Sequence, residues 1–250
     1  MKWSCSVLCY NKPRVTAGGI ESILRSAPRL EFELLITDNG SADETARIID
    51  RYASDHRVRI IRHETNLGVI VAKNHALSQA RGDYFVSLDN DCRISAGSIV
   101  AMTTPFDLDP NVAQVGRDGG FGRLSRHGVG THGPPGYERD YIDGSCFMVR
   151  TDLAKRFGGV CDEAYTFAYC EDSDFSLRLR KAGWRITTVH ADVEHLEHQT
   201  AHGAGLDLRE HWKNNHRLFM SRWSGYLKTR RFGHPEEPAV PRRNEESPVC

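Results

Sequence analysis

Short apolar runs alternate with helical periodicity over the first 90 residues of the chain. Apolar runs at residues 6–10, 32–37, 58–62 and 83–88 predict four strands, and the run at 32–37 is apolar enough to be buried on both faces. Apolar positions three and four residues apart predict helices between them, at 16–27, from 41 onwards and at 69–80. This alternation of strands and helices implies right-handed crossovers and a parallel sheet flanked by helices, in an α/β domain.

Two of these helices have recognisable inner faces. In the first, Ile20, Ile23 and Leu24 share one side. The second is predicted to begin with a capping box, in which Ser41 and Glu44 satisfy each other's backbone N–H groups. Its inward-facing residues are Ile48, Ile49 and Tyr52.

The pattern changes after residue 110. Eight glycines among the 21 residues 116–136 predict a mobile loop. We then expect a strand at 145–150, a helix at 171–182 ended by Gly183, a last strand at 184–190 and an amphipathic helix at 209–231. The residues from 233 contain four prolines and little apolar surface, so we expect a single domain at 1–232 and a disordered tail at 233–250.

Composition narrows the class of protein. Lys and Arg total 33, as do Asp and Glu, so no global field attracts nucleic acid and no nucleic-acid partner is expected. No apolar run approaches the roughly 20 residues of a membrane span, and the first residues lack the apolar region of a signal peptide. Seven scattered cysteines without a C-x-x-C pair fit free thiols in a reducing cytosol. These features predict a cytoplasmic protein.

Polar residues follow each of the four predicted strands, where ligands bind in parallel sheets. After the fourth strand, Asp89 and Asp91 are two residues apart and point the same way, so they could bind one Mg²⁺ or Mn²⁺ together with diphosphate oxygens. A polar turn after a buried strand is the alternative. Asp38 follows the second strand, where it could accept a hydrogen bond from a base or ribose, or simply start a turn with Asn39 and Gly40.

Three carboxylates, those of Glu171, Asp172 and Asp174, lie in or just before the first turn of the helix at 171–182. A favourable interaction with the helix macrodipole is enough to explain an acidic residue at the position of Asp174. A carboxylate that the helix end keeps ionised, and that its like-charged neighbours keep basic, could also serve as a general base for a sugar hydroxyl.

The histidines and aromatic residues of the last third allow two interpretations each. His195, His198 and His202 would share one helix face and form a zinc site, or a single histidine would supply one ligand after the last strand. Trp184 could stack on a sugar ring or belong to the core. The helix at 209–231 carries an apolar stripe opposite a basic face, so it either packs on the domain or makes a peripheral contact with an anionic membrane. The stripe consists of Trp212, His216, Phe219, Trp223 and Leu227.

Six motifs, in this order, resemble those of family 2 glycosyltransferases, the inverting enzymes of GT-A fold. They lie at 6–12, at 35–41 with Asp43 and Thr45, at 66–69 with 73–74, at 85–91, at 143–150, and at 171–175 with Arg178, Arg180 and Gly183. The resemblance extends from about residue 4 to 225. It implies a Rossmann-like, mostly parallel central sheet flanked by helices, in a single domain with a C-terminal helical extension.

The resemblance also implies roles for individual residues. Asp38 would contact the base, Asp89 the ribose or diphosphate, and Asp91 the metal, Mn²⁺ or Mg²⁺. His195 is the second metal ligand implied, with His198 as a rival. Asp172 matches the catalytic base, with Glu171 shaping the site beside it. The nucleotide-sugar-binding residues would be Tyr10, Asn11, Asp38, Asn66, Gly68, Lys73, Asp89 and Asn90. The acceptor-binding residues would be Asp143, Gly144, Ser145 and Trp184.

The expected partners are a nucleotide-diphospho-sugar, UDP-linked by preference, and an acceptor with a hydroxyl group. Residues 1–110 would bind the nucleotide and residues 111–232 the acceptor. The chain departs from the family at Cys9, where proline and threonine often precede the Tyr-Asn pair, and it lacks the QxxRW signature of processive synthases, which favours single addition. Two alternatives are a sugar nucleotidyltransferase, which would need a glycine-rich phosphate loop after the first strand, and an inactive sugar-nucleotide-binding domain.

Overall fold

The computed structural model describes residues 2–26, 31–95, 97–117, 119–121, 131–132, 140–196 and 207–229. The elements of the first half are β1 (Trp3–Cys9), α1 (Pro13–Ser26), β2 (Phe32–Asn39), α2 (Thr45–Asp50), β3 (Val58–His63), α3 (Gly68–Gln79), β4 (Tyr84–Asp89), β5 (Cys92–Ile94) and α4 (Ser98–Leu108). The elements of the second half are β6 (Val112–Gly116), β7 (Gly119–Phe121), β8 (Thr131–His132), β9 (Tyr141–Ile142), β10 (Cys146–Arg150), α5 (Thr151–Arg156), α6 (Glu171–Lys181), β11 (Arg185–Thr188), β12 (Val193–His195) and α7 (Arg209–Thr229).

Seven strands form the central sheet, in the order β11-β6-β10-β4-β1-β2-β3. The four strands expected from the first 90 residues lie side by side and parallel, which confirms the predicted α/β architecture. In their register Cys9 is opposite Asp38, and Leu8 is opposite Asp89. The loops after β1, β2 and β4 therefore emerge at one edge of the sheet. Strand β10 is antiparallel to β4, so the residues that precede it reach the same edge.

The core lies on both faces of this sheet. Strands β1 and β2 are buried along their whole lengths, as the apolar run at 32–37 predicts. On one face Leu34 and Ile36 belong to the apolar cluster that contains Ile20 and Ile23 of α1. On the other face Leu35 belongs to a cluster built from α3, α6 and α7. Each fully buried side chain of this kind contributes roughly 1.5–3 kcal/mol, so the sheet is a rigid base for the loops at its edge.

Helix α7 packs on the domain through its apolar stripe. Phe219 and Trp223 are 1% and 5% exposed and join the same cluster as Leu35. Beside this stripe, Arg222 forms an ion pair with Asp162 at 2.7 Å. The packing of α7 thus agrees with the first of its two interpretations and does not support a membrane contact. No helix in the described ranges is long and apolar enough to cross a membrane.

The predicted capping box is wrong. Helix α2 begins at Thr45, whose N–H is bound by the carboxylate of Asp43 at 2.8 Å, and the side chain of Glu44 makes no capping hydrogen bond. The hydroxyl of Ser41 instead accepts a hydrogen bond from the N–H of Asn11 at 2.9 Å. A contact between two strand-end loops therefore replaces the local helix cap.

Several other boundaries differ from expectation. Helix α1 starts at Pro13, three residues early, and helices α4 and α5 were not predicted. The strand expected at 184–190 ends at Thr188 and is not the last, because β12 follows it and pairs with β5. Within the glycine-rich stretch, β7 pairs with β8 and β9, so this part is not wholly a loop. The rest of that stretch, at 118, 122–130 and 133–136, and the expected tail at 233–250 lie outside the described residues.

Candidate active site

Carboxylates from four parts of the chain meet at the end of the sheet where β1, β2 and β4 terminate, which we call the active edge. Asp38 is the last residue but one of β2, Asp89 ends β4 and Asp91 follows it, Asp143 precedes β10, and Asp172 lies in the first turn of α6. The N–H of Asp89 donates to the carbonyl oxygen of Ser145 at 2.9 Å, which fixes the two central loops against each other. The sequence predicted this convergence for the parallel strands, and the antiparallel β10 adds its own loop.

Asp38 is held at the end of β2 by two donors. Its Oδ1 accepts the N–H of Ser41 at 3.0 Å, and its Oδ2 accepts Nη1 of Arg62 at 3.1 Å. The turn interpretation of Asp38 is therefore correct, and its carboxylate lies at the same end of the sheet as that of Asp89. Sequence reasoning missed Arg62, which the parallel register places directly beside Asp38 on β3.

Asn11 and Asn90 brace the loops around this point. Asn11 has a left-handed backbone (φ 53°), and its Oδ1 accepts the N–H of Ala42 at 2.9 Å. The amide of the buried Asn90 donates to Oγ1 of Thr16 at 2.8 Å. The half-buried Tyr10 lies between β1 and this loop. The structure thus places all three residues at the expected edge, with Asn11 and Asn90 bound to protein groups.

Asn66 and Gly68 form a compact turn at the start of α3. Oδ1 of Asn66 accepts hydrogen bonds from Nδ2 of Asn39 and from the N–H of Gly68, both at 2.9 Å. Gly68 has a φ of 79°, and a Cβ at this position would lie 2.7 Å from the Cα of Phe167. Only glycine fits here, and the N–H of Val69 donates to the carbonyl of Phe167 at 2.8 Å. The turn is therefore docked on the segment that leads into α6.

Lys73 places a buried positive charge among the carboxylates. Its Nζ is 3.0 Å from Oδ1 of Asp89 and donates to the carbonyl of Gly144 at 2.8 Å. Burial alone would lower the pKa of this ammonium, but the negative charges of Asp89 and Glu171 outweigh burial and raise it. Lys73 therefore stays charged and ties α3 to the loop before β10.

Asp91, Cys92 and His195 could hold a divalent metal. One ligand atom of each lies within 4.8 Å of the others, and Nε2 of His195 is 3.4 Å from Oδ1 of Asp91. The hydrogen bond to Asp91 raises the pKa of His195. A carboxylate with an imidazole suits Mn²⁺ and leaves positions for diphosphate oxygens, so these residues fit the expected ion. The thiol of Cys92 is already hydrogen-bonded, to the carbonyl of Ser145 at 3.3 Å.

A zinc site on one helix face is wrong for His195. This residue lies in β12, opposite Cys92 of β5, so the helical spacing of the three histidines does not apply to it. His198 and His202 lie outside the described residues. The pairing of β12 with β5 brings His195 to Asp91, as the single-ligand alternative requires.

Glu171 and Asp172 are the first two residues of α6. Oδ2 of Asp172 accepts the N–H of Gly144 at 3.2 Å, and its Oδ1 accepts the N–H of Ser173 at 2.6 Å. A Cβ on Gly144 would lie 3.2 Å from the Cβ of Asp172, a tight contact that glycine avoids. The half-buried carboxylate of Asp172 is thus held against the acceptor-side loop.

The environment makes both acids of this pair more basic than usual. Burial, and then the charge of Asp172, raise the pKa of Glu171. Burial, and then the charge of Asp143, raise the pKa of Asp172. Oε2 of Glu171 has no hydrogen-bond partner among the described residues. Of the two, Asp172 is the one whose raised pKa suits removal of a proton from a hydroxyl group near neutral pH.

The predicted acceptor residues divide into two groups. Asp143, Gly144 and Ser145 lie at the active edge, where Oδ1 of Asp143 accepts the N–H of Ser145 at 2.9 Å. Trp184 does not lie there, and its prediction as an acceptor-binding residue is wrong. It precedes β11, whose first residue, Arg185, is opposite Val112. This pair lies at the end of the strands away from the active edge. Trp184 packs against the apolar cluster of that half, as its core interpretation requires.

Sequence reasoning also missed Arg117 and Asn215. Arg117 follows β6 at the active edge, and its buried Nε has no hydrogen-bond partner among the described residues. Asn215 is buried on α7 and is bound to the segment before α6. Neither belongs to a motif, so only the tertiary structure shows where they lie.

Comparisons with known proteins identify the family of this chain. Residues 4–157 match the sequence model of glycosyl transferase family 2. The uncharacterized protein y4gI of Sinorhizobium fredii is 26% identical over 246 residues, which cover 86% of this chain but 26% of that protein. The chain thus spans about a quarter of that relative's length. The N-acetylglucosaminyl-diphospho-decaprenol L-rhamnosyltransferase of Mycobacterium tuberculosis is 27% identical over 250 residues, 81% of this chain and 79% of that enzyme.

Solved structures share the fold at low identity. GalNAc-T7 with UDP, GalNAc and Mn²⁺ superposes with a TM-score of 0.75 at 16% identity, over 91% of this chain and 50% of that one. The mannosyltransferase PcManGT of Pyrobaculum calidifontis, in complex with GDP-Man and Mn²⁺, gives 0.63 at 18% identity, over 96% and 68%. With the family match over more than half of its length, the chain belongs to glycosyl transferase family 2, a family of glycosyltransferases, and has the GT-A fold.

Proposed function

We propose that this protein transfers a sugar from a nucleotide-diphospho-sugar to a hydroxyl group of an acceptor, with inversion at the anomeric carbon. The observation that carries the proposal is the position of Asp172. Its carboxylate faces the loop before β10, is fixed by the N–H groups of Gly144 and Ser173, and has a raised pKa. These are the properties of a general base held beside an acceptor subsite.

The donor would lie along the edge formed by β1, β2 and β4. Asp38, held by Arg62, would accept a hydrogen bond from the base, and the loops braced by Asn11 and Asn90 would enclose the nucleoside. Asp89 would contact the ribose or diphosphate, with Lys73 fixing its position. We favour a UDP-linked donor, since GalNAc-T7 was solved with UDP, although PcManGT was solved with GDP-Man.

The chemistry assigned to the residues is a single displacement. Asp172 takes the proton of the acceptor hydroxyl, whose oxygen forms a bond to the anomeric carbon as the bond from that carbon to the diphosphate breaks. Glu171 would shape the site beside the base, and its raised pKa favours its uncharged form there. Asp91 and His195 would hold Mn²⁺ or Mg²⁺, which would neutralise charge on the leaving diphosphate.

The same assignment divides the chain into a donor half and an acceptor half. The loops of residues 1–110 would supply the donor side, and the residues from 111 to 232 would supply Asp143, Gly144 and the base on the acceptor side. Six described cysteines are free thiols, which supports a reducing, cytoplasmic location for the reaction.

Calorimetric titration with UDP-, GDP- and dTDP-sugars, with and without Mn²⁺, tests the proposal, together with an assay for release of the nucleoside diphosphate. We expect one nucleotide series to bind in the presence of Mn²⁺ and to be turned over. Binding of a sugar nucleotide without any turnover, to water or to a panel of hydroxyl acceptors, would favour an inactive binding domain. Pyrophosphate-dependent formation of a nucleoside triphosphate would favour a nucleotidyltransferase.

A further inference from the structure

Asn215 of α7 uses its whole side chain to bind one short segment, residues 166–169. It is 2% exposed. Its Nδ2 donates to the carbonyl oxygens of Thr166 at 2.8 Å and Ala168 at 2.6 Å, and also lies 3.2 Å from that of Tyr169. Its Oδ1 accepts the N–H of Thr166 at 2.9 Å. An amide that both donates to and accepts from one stretch of backbone fixes the path of that stretch.

The segment needs such a constraint. Phe167, Tyr169 and Cys170 have φ values of 65°, 80° and 70°, in the left-handed region that residues with side chains avoid. Three such residues within four positions persist only where surrounding groups hold them. Without the amide of Asn215, the segment would relax toward ordinary backbone conformations.

Both ends of the segment reach the active site. The carbonyl of Phe167 accepts the N–H of Val69, beside the turn formed by Asn66 and Gly68. Cys170 directly precedes Glu171, and its carbonyl accepts the N–H of Asp174 in the first turn of α6. A change in the path of residues 166–170 would therefore move the start of α6, and with it Asp172.

We propose that Asn215 is a positioning residue for the acid pair, which holds residues 166–170 in the conformation that sets Asp172 against Gly144. The inference rests on the proposed function of Asp172 as the general base. The hydrogen bonds of Asn215 go to residues 166–169, so it acts on Asp172 through the backbone of that segment. Its neighbour Asn214 is exposed and bonds only with Arg217 of its own helix among the described residues, so it provides a matched control.

The test compares Asn215→Ala and Asn215→Asp with Asn214→Ala and Asn214→Asp. Asn215→Asp keeps an acceptor for the N–H of Thr166 but turns an oxygen toward carbonyl oxygens. The measurements are kcat and KM for the donor that the wild type turns over in the panel above, the pH profile of kcat, and hydrogen–deuterium exchange of residues 166–174. Thr166→Val, which removes a hydroxyl 3.3 Å from Oδ1 of Asn215, is the milder variant if the others do not fold.

We expect kcat to fall at least about tenfold in the Asn215 variants, since small displacements of a catalytic group are costly, while KM for the donor changes little. In Asn215→Ala the acidic limb of the kcat profile should move to lower pH, because water that enters beside Asp172 lowers its pKa. The other charges that act on Asp172, those of Asp143, Lys73 and Glu171, are unchanged. Relative to the wild type, hydrogen–deuterium exchange should accelerate more in residues 166–174 than in β1 and β4. The Asn214 variants should resemble the wild type.

Folded Asn215 variants with wild-type kcat and an unmoved acidic limb would overturn the inference, even if their melting temperature were lower. Exchange that rises equally over the whole domain would overturn it as well, because it would indicate a global loss of stability. A wild type that turns over no donor would instead contradict the proposed function. The exchange measurements would then decide alone whether Asn215 fixes the segment.

Discussion

Oδ1 of Asp174 accepts a hydrogen bond from the indole Nε1 of Trp223 at 2.8 Å, which joins α6 to α7 in the interior of the protein. The same oxygen accepts the hydroxyl of Tyr165 at 3.0 Å, and the other carboxylate oxygen accepts Nε of Arg178 at 2.9 Å. Asp174 is completely buried, and a buried carboxylate is tolerated only when donors surround it. Of the three neighbouring acids, this one therefore holds the two helices together, and the macrodipole is at most a part of its role.

Trp223→Phe should lower the free energy of unfolding by about 1.5–3 kcal/mol, because it removes the indole donor and leaves Asp174 with one partner fewer. Urea unfolding followed by circular dichroism measures the change. Trp212→Phe is the matched control, since Trp212 is half-buried on the same helix and stacks on His216. Equal losses in the two variants would show that the bond to Asp174 adds nothing beyond the packing of a tryptophan.

Asp172→Asn should keep donor binding and lower kcat by about 10²–10⁴-fold, since asparagine can accept the N–H of Gly144 but cannot take a proton from the acceptor. Calorimetry with the donor and a turnover assay separate the two effects. Glu163→Gln, on the exposed part of the segment before α6, is the control for loss of one negative charge. Wild-type turnover in Asp172→Asn would exclude Asp172 as the base.

The sequence was sufficient to predict the parallel half of the sheet, because alternation of apolar strands and helices leaves few topologies open. It also placed Asp38 and Asp89 at a common edge, since both follow strands that must run in the same direction. Local rules failed where distant parts of the chain compete for the same group. The hydroxyl of Ser41 suits a helix cap, but the N–H of Asn11 takes it.

The failures on the acceptor side have the same origin. Trp184 follows Gly183 in a motif of the family, yet the parallel register of β11 with β6 puts it at the opposite edge from Gly144. Periodicity predicts only whether a residue of α7 is buried or exposed, not which group it binds. The hydrogen-bond partners of Asn215 are about 47 residues away in the chain. Neither strand register nor a contact of this kind can be read from local periodicity.

Asp91→Ala and His195→Ala should each weaken Mn²⁺-dependent donor binding by at least about tenfold, because each removes one of the proposed metal ligands. Binding measured without a divalent ion should be little changed. Glu194→Gln is the control, since Glu194 is exposed and directly precedes His195 in β12. Donor binding that is equally strong in His195→Ala and in Glu194→Gln would remove His195 from the metal site.

Glu171→Gln should stabilise the fold, and more so at pH 8 than at pH 5. Burial raises the pKa of Glu171 in the folded state, so the folded protein holds this proton to a higher pH than the unfolded chain does. The stability associated with the proton is fully present below the ordinary glutamate pKa of about 4.3 and is lost as the pH rises through the raised value. Glutamine does not titrate, and therefore escapes this loss.

Urea unfolding of wild type and Glu171→Gln at the two pH values, without divalent ions, measures the difference, which we expect to reach about 1 kcal/mol or more at pH 8. The exposed Glu163→Gln should give no such pH-dependent gain. Because Oε2 of Glu171 lacks a partner among the described residues, the substitution breaks no hydrogen bond of this oxygen, and the pH-dependent part of the gain reports the charge. A gain of equal size at pH 5 and pH 8 would mean that Glu171 ionises in the fold as readily as in the unfolded chain.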